Sequence, residues 1–160
     1  MKVLVTGGTG FVGRPLVERL VEFNHEVVLL SRNAEAAKST LGLPINVFSW
    51  NPEVATPPKE AFQGVEAIIH LAGESIAAGR WTEKQKKKIL NSRTLSTRNL
   101  LKGAVESGAK LKAIMAPVDV PEKSGILGFR NPSPLQRIFV NDFNNKIDTL
   151  NNLLQLLRNF

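Results

Sequence analysis

Near the start of the chain, the seven residues 7–13 hold four glycines, in the stretch TGGTGFVG (6–13). Gly8, Gly10 and Gly13 fit G-x-G-x-x-G, and Gly7, Gly10 and Gly13 fit the looser G-x-x-G-x-x-G. Glycines at this spacing let a strand turn sharply into a helix, let the main chain approach a pyrophosphate, and let helix and strand pack closely. Amides at the helix start, with the positive end of its dipole, then face the phosphates. A tight turn alone would also use glycines, so the motif has meaning only between a strand and a helix. That context is present. KVLVT (2–6) is a short apolar run of the length of a buried parallel strand. After the glycines, Leu16, Val17, Leu20 and Val21 recur on one helical face, with Arg14, Glu18, Arg19 and Glu22 on the other. Pro15 falls in the first turn, where its missing N–H costs little. The triphosphatase pattern G-x-x-x-x-G-K-[ST] does not occur.

The next candidate chemistry lies at the end of the following strand, EVVLLS (26–31). A site for NAD usually places Asp or Glu here to hold the ribose 2′-hydroxyl. This strand runs into Ser31, Arg32 and Asn33, with no carboxylate. Arg32 is shaped for a 2′-phosphate, and Ser31 could donate to the same group. The expected cofactor is therefore NADP, with NAD the lesser alternative; the competing reading is a solvent-exposed arginine at a strand end. A third cluster follows the run VEAIIHLAG (65–73), where Leu71, Ala72 and Gly73 would let a cofactor pass close to the backbone. His70 in that run reads more readily as a packed polar residue than as a catalyst. No pair of His or carboxylate side chains shows metal-ligand spacing, so no metal is expected.

Strands and helices must alternate to position these residues. The pattern predicts a short helix over 33–42, a strand over 45–50, proline-rich loop with a helical turn over 51–64, and a strand over 65–73. A long helix is expected from Thr82 to Ser107, opened by a Thr82–Gln85 capping box and carrying Ile89, Leu90, Leu100, Leu101, Ala104 and Val105 as its apolar stripe. A fifth strand is expected over 111–115. This is an α/β fold with a mainly parallel sheet of about five strands. The texture changes at Ala116. The expected division is a dinucleotide-binding domain over 1–116, a linker over 117–134 and an amphipathic helix over 135–160. That helix would cover the sheet's uncovered surface or pair with a second copy, giving a homodimer.

Composition bounds the rest. The chain has 160 residues, 42% of them hydrophobic, enough for one core. It has no cysteine, which excludes disulfides, thiolate metal sites and thiol nucleophiles. The cytoplasm is the default location, and no apolar run suggests a membrane span. The net charge of +7 concentrates at Lys84, Lys86, Lys87 and Lys88, which read as a solvated helix face more readily than as an anion-binding patch. Without aromatic interleaving, no nucleic acid partner is expected.

Taken together, VLVTGGTGFVG, HEVVLLSRN, HLAGESI, RWTEKQKKKILNSR and TRNLL resemble the atypical extended short-chain dehydrogenase/reductases of the NAD(P)-dependent epimerase/dehydratase family. More narrowly they resemble its YfcH-like group, some members of which are labelled cell-division inhibitors. The resemblance covers residues 1 to about 115. It implies a Rossmann-type, doubly wound sheet. It implies Gly7, Gly10, Phe11, Val12 and Gly13 as the pyrophosphate turn, Ser31 and Arg32 as adenosine-phosphate contacts, and Leu71, Ala72 and Gly73 as the wall beside ribose and nicotinamide. Glu74, Trp81, Ser92 and Arg93 match the group's pattern without an assigned role. The family's Tyr-x-x-x-Lys pair, which handles the proton, has no counterpart, because the chain contains no tyrosine. Ser75, Ser92 and His70 are the nearest substitutes, and none has a recognisable partner, so no catalytic residue is assigned. The chain therefore reads as a truncated fold, the NADP(H)-binding part of an epimerase- or oxidoreductase-like protein. The alternatives are a non-catalytic cofactor-sensing or scaffold module, division-related or not, and an inactive truncated product.

Overall fold

The computed structural model describes residues 1–74 and 82–116. The linker and C-terminal helix expected over 117–160 lie outside the described residues, as do Ser75 and Trp81.

The apolar run at the start forms β1 (Lys2–Thr6), and the glycine turn leads directly into α1 (Gly13–Glu22). Then follow β2 (Glu26–Ser31), α2 (Ala34–Leu41) and β3 (Asn46–Ser49). A proline-rich loop with a short 3-10 turn at Lys59–Phe62 leads to β4 (Ala67–His70). The long helix α3 (Glu83–Glu106) and β5 (Ala113–Met115) complete the described chain. All pairings are parallel, in the order β3-β2-β1-β4-β5. This is the doubly wound order, in which the chain leaves β1 to one side for β2 and β3, then returns to its other side for β4.

Alternation along the buried strands divides the core into two layers. Val3, Val5, Val27, Leu29 and Ile69 face α1 and α2, meeting Leu16, Val17, Leu20 and Leu41. Leu4, Val28, Leu30 and Ile68 face the other way, onto Trp50, Phe62, Leu100 and Ala104. Each fully buried aliphatic side chain contributes about 1.5–3 kcal/mol, so these layers hold the sheet. The proline-rich loop is part of the second layer. Trp50 Nε1 donates to the Ala55 carbonyl at 2.7 Å, and Asn99 Nδ2 of α3 donates to the Pro52 carbonyl at 2.9 Å.

Helix ends follow capping chemistry. The Gln85 amide donates to Thr82 Oγ1 at 3.2 Å, the forward half of the expected capping box. The Ala36 amide donates to Asn33 Oδ1 at 3.0 Å and starts α2. Asn33 is exposed, so Asn33→Ala removes that bond and little else. It is expected to lower stability by about 1 kcal/mol, read from the urea midpoint at unchanged slope.

Four expectations are corrected. The strand expected over 65–73 pairs only over Ala67–His70, because β1 turns away after Thr6 and leaves no longer partner. The strands expected over 45–50 and 111–115 pair over Asn46–Ser49 and Ala113–Met115. On α3, Leu100, Leu101 and Ala104 are buried as expected, but Leu90 is 60% and Val105 52% exposed. The buried face uses Ser92, Ser96 and Thr97 instead.

Candidate functional site

Because every strand is parallel, the segments after β1, β2 and β4 emerge at one edge of the sheet. The glycine turn is held there from both sides. Gly7 has φ +72°, and a Cβ on it would stand 2.8 Å from Ala72 N and 2.8 Å from Leu71 C. The turn after β1 and the segment after β4 therefore touch main chain to main chain. On the other side, a Cβ on Gly13 would stand 2.1 Å from Gly7 O. Of the two glycine frames in the sequence, the one starting at Gly7 makes the tight turn, while Gly8 packs against Leu29 and Val17. The turn closes on itself through Gly10 N to Gly7 O at 3.0 Å. Val12, the N-cap of α1, makes no side-chain cap bond, and the first turn has no acidic residue. Gly10 and Phe11 are exposed, Phe11 to 84%, and Val12 is half-buried.

The segment after β2 lies at the same edge. Ser31 Oγ donates to the Asn33 carbonyl at 3.1 Å and accepts from the Asn33 amide at 3.3 Å, which fixes the turn that carries Arg32. Arg32 is exposed. Its charge reaches across to Glu74. The Lys88 hydrogen bond to Glu74, at 2.8 Å, is the main cause holding that carboxyl below the usual carboxylate range, with the charges of Lys88 and Arg32 adding to it. Leu71 and Ala72 are half-buried and Gly73 is exposed along the wall. Lys84, Lys86, Lys87 and Lys88 are all exposed.

Beneath the wall runs a buried polar chain. Register pairs Thr6 of β1 with His70 of β4. The Ala72 amide donates to Thr6 Oγ1 at 3.1 Å, and Thr6 Oγ1 meets His70 Nδ1 at 2.6 Å. His70 Nε2 meets Ser96 Oγ at 3.0 Å, and Ser96 donates to the Ser92 carbonyl. A hydroxyl has one proton. With the Ser96 hydroxyl directed at the Ser92 and Arg93 carbonyls, the arrangement fits Nε2 as the donor and Nδ1 as the acceptor. His70 is thus the neutral Nε2–H tautomer. Burial, at 1% exposure, agrees with this by pushing its pKa down to about 4. It is a buried, packed polar residue. Thr6 and Ser96 went unnoticed in the sequence. The signals were a hydroxyl closing an apolar strand, and Ser92 and Ser96 one helical turn apart.

Ser92 is also committed, donating to the Ile89 carbonyl at 2.8 Å and accepting from the Glu74 amide at 2.9 Å. Among the described residues, no group of three His, Asp or Glu could hold a metal ion. No described helix is long and apolar enough to cross a membrane.

Comparison with known proteins gives a consistent picture. The model of the NAD dependent epimerase/dehydratase family matches residues 3–116. The epimerase family protein YfhF of Bacillus subtilis is 36% identical over 142 residues, 89% of this chain and 43% of that protein. That match runs past Ala116. Human epimerase family protein SDR39U1 is 33% identical over 71% of this chain and 35% of its own length. The chain thus spans less than half the length of these relatives. The crystal structure of the human protein (isoform 2) with NADPH superposes with TM-score 0.55 at 32% identity, over 71% of this chain and 35% of that one. The Thermus thermophilus UDP-glucose 4-epimerase complex with NAD gives TM-score 0.52 at 25% identity, over 68% and 35%.

Proposed function

Since the chain belongs to the NAD dependent epimerase/dehydratase family, we propose that it binds a dinucleotide at the carboxyl edge of its sheet, NADP(H) in preference to NAD(H). One observation carries this reading: a glycine turn of φ +72°, pressed on the Leu71–Ala72 main chain, opens onto a helix start with no side-chain cap and no acid in its first turn. That arrangement offers amides and a positive dipole end to phosphate oxygens. Gly7, Gly10, Phe11, Val12 and Gly13 then cradle the pyrophosphate, Arg32 meets the adenosine 2′-phosphate from the turn that Ser31 fixes through Asn33, and Leu71, Ala72 and Gly73 flank ribose and nicotinamide. The NADPH of the human relative supports the choice of cofactor, and the NAD of the Thermus enzyme keeps NAD as the alternative. Residues 1–116 are the proposed binding domain; the expected connection and pairing helix fall on 117–160, outside the described residues. The cysteine-free chain suits the cytoplasm.

Fluorescence titration with NADPH and NADH tests the reading, and failure to bind either overturns it. Arg32→Asp is expected to weaken NADPH about tenfold or more, the scale of a lost charge-assisted pair, while sparing NADH. Equal loss for both removes Arg32 as the 2′-phosphate contact.

The chain contains no tyrosine, which favours a second reading within the first. In it the domain binds cofactor without turnover, as a sensor or as a scaffold for a partner such as division machinery. A bound nicotinamide would supply hydride chemistry; what supports this second reading is that Ser92 and His70, two of the substitutes for the missing tyrosine, are already tied into hydrogen bonds within the fold. NADPH binding without hydride exchange on UDP-sugars supports that reading; exchange refutes it.

A further inference from the structure

Glu74, Ser92 and Arg93, singled out in the sequence without a task, come together where α3 passes the segment after β4. The Glu74 amide is held by Ser92 Oγ at 2.9 Å, and its carboxylate is held by Lys88 at 2.8 Å. A Cβ on Gly73 would stand 3.6 Å from Arg93 Cζ and 3.7 Å from its Nη2. The guanidinium therefore lies along the bare main chain of Gly73. Its side chain makes one hydrogen bond among the described residues, from Nη1 to the Ile89 carbonyl of its own helix, at 3.3 Å. No described carboxylate pairs with it, and Glu74 pairs with Lys88. A guanidinium carries five N–H donors in a rigid fork that fits two oxygens of one anion. Half-buried and with one long bond used, it keeps most of its fork available to a ligand. Gly73 also continues the wall whose earlier residues touch Gly7, on the sheet edge where ligands of doubly wound folds settle.

We propose that Arg93 is an anion-binding residue of this crevice, its guanidinium receiving a phosphate or carboxylate group of a ligand that lies against residues 71–73. The proposal rests on the dinucleotide reading for one of its two sources. The anion belongs either to the dinucleotide's own pyrophosphate or to a second ligand seated beside it.

Three measurements on the full chain decide between these: NADPH and NADH affinity by fluorescence, inorganic phosphate binding by ³¹P NMR with and without saturating NADPH, and the thermal midpoint. Arg93→Met keeps the apolar stem and removes the fork; Arg93→Lys keeps the charge. If the pyrophosphate is the ligand, Arg93→Met weakens NADPH and NADH alike by about tenfold, the scale of a lost charge-assisted pair, unlike Arg32→Asp. If a second ligand is, both dinucleotides hold and phosphate binding to the NADPH-saturated protein is lost. Under either source Arg93→Lys recovers part of the loss, which a packing role would not produce. Wild-type protein that binds neither dinucleotide sinks the functional reading, yet the phosphate arm still tests Arg93. A folded Arg93→Met protein with all affinities unchanged overturns the proposal, whatever happens to its thermal midpoint.

Discussion

Alanine at position 13 is expected to collapse the glycine turn, lowering stability by about 3 kcal/mol or more and abolishing dinucleotide binding. The added carbon would stand 2.1 Å from Gly7 O, 2.7 Å from Gly8 Cα and 2.8 Å from Gly7 C. All three are main-chain atoms, so no flexible side chain can swing aside. Nor can the turn retreat. Its far side already lies 2.8 Å from Ala72 N, measured from the Cβ position of Gly7. The start of α1 and the segment after β4 thus clamp one loop between them, and the spare space is less than a methyl group. Gly42→Ala is the internal comparison. Gly42 has φ +63° at the end of α2, with nothing within 4 Å of its Cβ position. It has only left-handed strain to bear, about 1 kcal/mol. Urea denaturation followed by circular dichroism measures both. Equal losses in the two variants would mean that the clamp is not what demands glycine at position 13.

That contrast marks how far the sequence could be read. β1 and β2 were legible residue for residue, because each is an apolar run with a clear stop. β4 was not, since its length is set by its neighbours: β1 ends at Thr6, and β5 contributes only Ala113–Met115. The run 65–73 is apolar along its length, yet Leu71 makes only one further bond, to Thr6 O at 3.1 Å, before the chain leaves the sheet. Glycine spacing located the turn but allowed two frames; only contact between main chains separates Gly7 from Gly8. The stripe on α3 failed at its ends because burial there depends on what lies opposite. Phe62 and Pro57 crowd Gly103, while Leu90 faces outward. Arg93 matched a pattern with no visible function, since its neighbour Gly73 is twenty residues away in the chain and adjacent only in space.

Through His70 alone, the fold is expected to lose about 3 kcal/mol as the pH falls from 6.5 to 4. The ring is 1% exposed, and burial lowers its pKa from 6.5 to about 4. The polar chain opposes protonation as well. A proton on Nδ1 would make that nitrogen a donor to Thr6 Oγ1, which already accepts from the Ala72 amide, and would leave the Thr6 proton without its acceptor. The sign follows from which state binds protons. Well above pH 6.5 His70 is neutral in both folded and unfolded chains, and its stability is fully present. As the pH falls, the unfolded chain takes up a proton that the native ring refuses, so unfolding gains. By pH 5 about 2 kcal/mol is gone, and the loss ends once the native ring protonates near pH 4. Glu66 and Glu74 have pKa values lowered from 4.5, by the Lys112 and Lys88 hydrogen bonds respectively. They withdraw their stability as the pH falls through about 4.5 and below, which leaves the upper part of the window to histidine. His25 shifts the same way through burial and the neighbouring N-terminus, so it must be separated. His70→Gln is expected to cost about 1–3 kcal/mol at pH 7, from the disturbed buried pairs, and to flatten the slope between pH 6.5 and 5. His25→Gln is expected to leave most of that slope in place. Equal wild-type stability at pH 7 and pH 5 would show that the ring carries its proton without penalty, and the directional chain from Ala72 to Ser92 would then have to be abandoned.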